Sequence, residues 1–298
     1  MKKLLFLILM IAAQLSAQTS HTIQSGDSKL FYRSFGNGQP VVIINGGPGM
    51  NSDGFAAMAE KISMVNCQTI IYDQRGTGKS TISTVNSSTI TMDLMVTDLE
   101  NLRQHLKIKQ WIVLGHSFGG MLASYYATVH PESIKSIILS SSGGIDMGLM
   151  AYVGGINDRL NTEERKSLNY WNEQIAAGDT TYNARLQRGK ALANAYVYNK
   201  ANAAIIAERL TQGNTTVNGL IWQDLIKIKF NCAPKLSGFS KPVLIIQGKN
   251  DIIEFKTAEI AHKALRNSKI VIMDHCGHYG WLDNPDIYFP ALHDFLNS

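Results

Sequence analysis

Short apolar runs recur along the chain, most of them too brief for helices. Residues 40–44, 68–72, 111–114, 134–139, 242–247 and 269–273 each read as a buried strand, rich in Val, Ile and Leu and bounded by glycine, proline or polar residues. Residues 22–35 read as two further strands around Gly26 and Asp27, closed by Gly36-Asn37-Gly38. Between the runs the apolar positions change spacing. In residues 92–106, Leu94, Val96, Leu99, Leu102 and Leu106 fall near helical spacing. Residues 52–64, 121–127, 255–265 and 287–296 also predict helices. The pattern changes again between Asp146 and Asn231, where no apolar strand run occurs and residues rich in Ala, Asn, Gln and Tyr predict helices over 162–177 and 182–210. Strands alternating with helices predict an α/β fold with a doubly wound, mostly parallel sheet. The expected division is a core over 18–145 and 236–298, with a helical lid inserted over 146–235. No internal repeat interrupts this plan.

Composition narrows the picture. The 298 residues are 45% hydrophobic and 17% charged, enough to bury a sizeable core. The formal net charge is +5; setting Lys2 and Lys3 aside leaves 26 basic against 23 acidic residues, or +3. That charge is too weak and too dispersed to indicate nucleic acid. Residues 1–17 have the layout of a signal peptide: Lys2 and Lys3, then an apolar stretch over 4–13, then small residues Ser16 and Ala17. The expectation is export to the periplasm or beyond, with cleavage near Ala17 and no stable membrane insertion afterwards. Export would permit one disulfide among Cys67, Cys232 and Cys276, but the favoured reading is free, buried thiols. Their wide spacing argues against a metal site, and no cofactor is expected.

The chemistry centres on Gly115-His116-Ser117-Phe118-Gly119, a G-x-S-x-G pattern between an apolar strand and a helix expected to begin near Gly119. Such a turn holds a serine in a strained conformation where flanking strand and helix approach closely, which glycine permits. It also sets the Phe118 N–H and a helix N-terminus where negative charge can develop. The loop Asn45-Gly46-Gly47-Pro48-Gly49 follows another predicted central strand and can offer a second backbone donor. A serine hydroxyl needs a base, and the base an orienting carboxylate. With this turn the chain order is Ser, acid, His, which Asp251 and His278 fit. His275 is a rival for His278, and Asp146 and Asp274 are rival carboxylates; His116 is expected to pack under the turn. Gly78-Lys79-Ser80 resembles part of a phosphate loop, but Asp73 stands where that loop needs glycine. The segment is read instead as a charged turn braced by Arg75 against a carboxylate.

Together with Asp73-Gln74-Arg75-Gly76-Thr77-Gly78-Lys79-Ser80, Gly248-x-x-Asp251 and Gly277-His278, these motifs resemble the α/β-hydrolase fold, and within it the proline iminopeptidase (prolyl aminopeptidase) group. The resemblance runs from about Thr22 to the C-terminus. It implies Ser117 as nucleophile, Asp251 as orienting acid, His278 as base, and the N–H groups of Gly47 and Phe118 as oxyanion donors, with Gly46 in close support. Asn45 stands where the group usually has histidine, and Phe118 where it often has tryptophan. The group's lid carries glutamates that hold a substrate's amino terminus; Glu173 and Glu208 are the candidates here. The implied substrate is a short peptide or aminoacyl derivative, with a carboxylesterase or lactonase acting on small acyl substrates as the alternative.

Overall fold

The computed structural model describes residues 18–152 and 155–298; the expected leader, residues 1–17, lies outside them. Among the described residues nine strands form one sheet: β1 Thr19–Ser25, β2 Ser28–Phe35, β3 Gln39–Ile44, β4 Cys67–Tyr72, β5 Thr81–Ile82, β6 Trp111–His116, β7 Ile134–Ser140, β8 Val243–Gly248 and β9 Ser268–Met273. The helices are α1 Ala56–Ser63, α2 Met92–His105, α3 Phe118–Val129, α4 Leu149–Tyr152, α5 Thr162–Ala176, α6 Tyr182–Tyr196, α7 Ala203–Leu210, α8 Thr215–Lys227, α9 Ala233–Leu236, α10 Phe255–Ala264, α11 Gly280–Asp283 and α12 Pro285–Leu296.

The sheet runs β1-β2-β4-β3-β6-β7-β8-β9, with β5 on the side of β2. It is parallel from β4 through β9 and antiparallel where β1, β2 and β4 meet. Every residue of β6 and β8 is buried, as is Val41 to Ile44 in β3. Helices cover such strands on both faces, which is why they read as unbroken apolar runs. The chain leaves β3 toward β4 on one side and returns to β6 on the other. At that reversal the loops after β3 and β6 diverge and open a crevice beyond the strand ends. The Asn45–Gly49 loop and the Ser117 turn are therefore side by side.

Between β7 and β8 the described chain is helical, α4 through α9. Asp146 and Asn231 form an isolated antiparallel bridge where this stretch departs and returns, and Cys232 N–H donates to Ile145 at 2.7 Å. The helix expected over 182–210 is instead two, α6 and α7. The break follows from side chains that bind backbone: Asn199 accepts from Ala201 N–H, while the Asp283 carboxylate accepts from the N–H groups of Tyr198 (2.7 Å), Asn199 (3.2 Å) and Gly277 (2.8 Å). The same carboxylate takes the Asn202 amide at 3.0 Å.

The Asp73–Ser80 segment is a brace. Arg75 donates to both oxygens of Asp98 at 2.7 and 3.0 Å, in a pair fully enclosed by the core. Asp73 accepts from Ser52 N–H, Ser52 Oγ and Lys79 N–H. A Cβ on Gly78 would sit 2.2 Å from Asp73 Oδ2, so a carboxylate already fills the turn's concavity and opposes any phosphate there.

Candidate active site

Ser117 lies between the end of β6 and the start of α3, with φ 55° and ψ −122°. A non-glycine residue at such a φ is strained and is held only by its surroundings. Its backbone is tied on two sides: Ser117 N–H donates to Ser140, and Gly143 N–H to Ser117. The flanking glycines are steric necessities. A Cβ on Gly119 would lie 2.0 Å from the Ile44 carbonyl oxygen, and one on Gly115 would lie 2.3 Å from that of Gly119. α3 begins at Phe118, one residue before the expected start. Ser117 is half-buried, and its Oγ bonds to no described residue.

His278 Nδ1 lies 2.7 Å from Asp251 Oδ1, and both residues are buried. An ionised carboxylate only accepts, so Nδ1 carries a proton, and in the neutral imidazole Nε2 is then the acceptor. Asp251 Oδ1 also accepts from Ile253 N–H at 3.0 Å, and Oδ2 from Gln247 Nε2 at 2.8 Å. Gln247, the penultimate residue of β8, thus fixes the acid. In the sequence it was one polar residue at the end of an apolar run, with nothing to single it out. His278 N–H donates to the Tyr196 carbonyl at 2.8 Å, which binds the histidine loop to the end of α6.

The rivals lie elsewhere. Asp274 is exposed and paired with Lys249 at 2.9 Å; Asp146 accepts from Gly148 N–H; His275 packs against the Tyr198 ring in a tilted arrangement. None of the three lines the hollow at Ser117. His116 packs beneath the turn against Phe55, Tyr279 and Trp281. Its Nε2 lies 2.9 Å from the His278 carbonyl oxygen and so carries its proton. Burial, reinforced by His278 beside it, pushes its pKa well below the ordinary imidazole value, and it stays neutral.

The glycine loop touches the serine. A Cβ on Gly46 would lie 2.5 Å from Ser117 Cβ, so the backbone approaches as closely as glycine permits. Gly47 sits at φ +67°. Neither its N–H nor that of Phe118, the first residue of α3, donates to another described residue. Asn45 stitches the loop internally through Nδ2 to the Met50 carbonyl at 3.0 Å, while its own carbonyl accepts from Gln74. Gly46 O accepts from Nη2 of Arg209, a buried arginine on α7 that nothing in the sequence singles out among the many cations of the helical stretch.

Gly46, Gly47, Ser117, Phe118 and His278 all line one hollow of about 530 Å³, with Asp251 directly behind the imidazole. Met121, Tyr196, Leu210, Trp222 and Ile253 make most of its wall apolar, and no Asp, Glu, Lys or Arg lines it among the described residues. Glu173 and Glu208 therefore do not stand at this hollow. Glu173 is on the solvent side of α5, and Glu208 is exposed on α7, where it accepts from the Tyr182 hydroxyl at 2.6 Å. Their helical positions were legible in the sequence; which face of each helix met the core was not.

A family model described as alpha/beta hydrolase fold matches residues 39–285. A proline iminopeptidase of Lactobacillus helveticus is 27% identical over 267 residues, covering 87% of this chain and 90% of the relative. Among solved structures, an esterase from Exiguobacterium antarcticum superposes with a TM-score of 0.72 at 21% identity, covering 94% of this chain and all of that one. A proline iminopeptidase from Mycobacterium smegmatis superposes with a TM-score of 0.71 at 23% identity, covering 94% and 98%.

Proposed function

The chain belongs to the alpha/beta hydrolase fold family and is a hydrolase, and we propose that it works as a serine hydrolase through an acyl-enzyme. The observation that carries this reading is the 2.7 Å contact of His278 Nδ1 with Asp251, which leaves Nε2 as the ring nitrogen free to act in the hollow that His278 and Ser117 both line. In the proposed reaction Nε2 takes the Ser117 proton as Oγ attacks a substrate carbonyl. The oxyanion is held by the N–H groups of Gly47 and Phe118, with the α3 N-terminus behind them. His278 then gives its proton to the departing amine or alcohol, leaving Ser117 acylated. Water, deprotonated by the same nitrogen, releases the carboxylic acid and restores the serine.

For the substrate we propose the amino-terminal residue of a short peptide, released in the manner of a proline iminopeptidase. The support is the relatives that align along most of the chain. The helical stretch 146–235 would act as lid, and the protein would act after export. A second reading, a carboxylesterase or lactonase on small acyl groups, is favoured by one observation: no carboxylate among the described lining residues stands ready to pair with an ammonium group. A fluorophosphonate probe tests the chemistry, and labelling anywhere but Ser117, or nowhere, overturns it. Proline β-naphthylamide, other aminoacyl amides and p-nitrophenyl esters of rising chain length test the substrate. Rapid ester cleavage with every aminoacyl amide inert decides for the second reading.

A further inference from the structure

A second, separate cavity of about 250 Å³ lies between α1, α7 and the α11–α12 corner. Tyr279 lines both it and the hollow at Ser117, forming the partition between them. We propose that this cavity is a binding site for a small organic carboxylate with an aromatic or branched aliphatic body. The proposal is independent of the reaction assigned to Ser117.

Arg209 carries it. The residue is 4% exposed, yet only Nη2 is engaged, with the Gly46 carbonyl; Nε and Nη1 have no partner. No carboxylate among the described residues forms an ion pair with it. A guanidinium withdrawn from water without a counter-charge is costly, and an anion beside it would remove much of that cost. Arg209 and Gly54 both line the cavity, and a Cβ on Gly54 would come within 2.8 Å of Nη1, so any other residue there would crowd the guanidinium. One face of the guanidinium is covered by the Phe55 ring, 4.7 Å away. A second cation, Lys61, stands at the cavity with its ammonium 3.9 Å over the Phe289 ring. The remaining wall is apolar, from Met58, Ile206, Trp281 and Phe289. Two cations and no acid select an anion. Aromatic and aliphatic walls disfavour a bare inorganic ion and favour a carboxylate carried on an apolar body. The planar fork of arginine suits a carboxylate.

The test uses the full-length protein and phenylacetate, with phenylacetamide and acetate as matched probes at constant ionic strength. Calorimetry and thermal shift should show saturable binding of phenylacetate. The neutral amide should bind weaker by about tenfold or more, the loss expected for a hydrogen bond to a charged group. Acetate, lacking the body, should bind more weakly as well. Ala57→Trp, at an exposed position on α1 that lines the cavity, should abolish binding; Ile156→Trp, which lines only the Ser117 hollow, should leave it intact. Absence of phenylacetate binding, equal binding of the amide, or loss of binding in Ile156→Trp with retention in Ala57→Trp would each overturn the proposal.

Discussion

Arg209 donates to the carbonyl oxygen of Gly46 at 3.1 Å, and that carbonyl shares one peptide unit with the Gly47 N–H. The chain has no cis peptide bond among the described residues, so the two groups point in opposite directions across a rigid plane. Holding the oxygen on the α7 side turns the N–H toward the opposite side. Arg209 is thus a positioning residue for a proposed oxyanion donor. Loss of such a donor outright costs about 10²–10³ in kcat; loosening it costs less. Arg209→Met should lower kcat on a p-nitrophenyl ester by about tenfold with a smaller change in KM, and Arg209→Lys should recover part of the loss. A purely structural role would instead reduce the amount of folded enzyme and leave the kcat per labelled site unchanged.

Asp251→Asn leaves the shape of the site but reverses the demand on His278 Nδ1, because the amide can present N–H where the carboxylate accepted. The imidazole then loses its enforced tautomer. The expected outcome is a fall in kcat of about 10⁴, with the protein still folded. Gln247→Leu should give a smaller loss, since Asp251 keeps the Ile253 N–H. Steady-state kinetics on the same ester checks both.

Glu100 gives the acid limb of stability. Burial pushes its pKa up, but hydrogen bonds from Arg103, Tyr126 and Gln104 outweigh burial and hold it down at about 2, against an ordinary 4.5. The folded value is below the unfolded one, so the stabilisation is present above pH 4.5 and is lost as pH falls from 4.5 toward 2. Glu100→Gln should lower the melting temperature above that window and flatten its dependence on pH within it. Thermal melts from neutral pH down to acid check this; an unchanged slope would contradict it.

Cys67, Cys232 and Cys276 are free and buried. Burial pushes the Cys232 and Cys276 thiols up to about 12 and raises that of Cys67. Iodoacetamide at about pH 8 should leave the native protein unmodified and alkylate all of them once it is unfolded, as mass spectrometry would read.

The strands of the parallel sheet were legible because burial on both faces writes itself as unbroken Val, Ile and Leu. The Ser117 turn was legible because its glycines answer close contacts that no other residue survives, as the Gly119 approach to Ile44 shows. The break between α6 and α7 was not legible. It depends on Asp283, far along the chain, receiving the N–H groups of Tyr198 and Asn199. Arg209, Glu173 and Glu208 were unreadable for a related reason: a charged residue on a helix between β7 and β8 declares its register only once the helix is seated.

Asp283 has one more consequence. Its carboxylate gathers Tyr198, Asn199 and Asn202 from the helical stretch and Gly277 from the histidine loop. These bonds fasten the helical stretch to the loop that carries His278, so a shift of either at this corner is transmitted to the other.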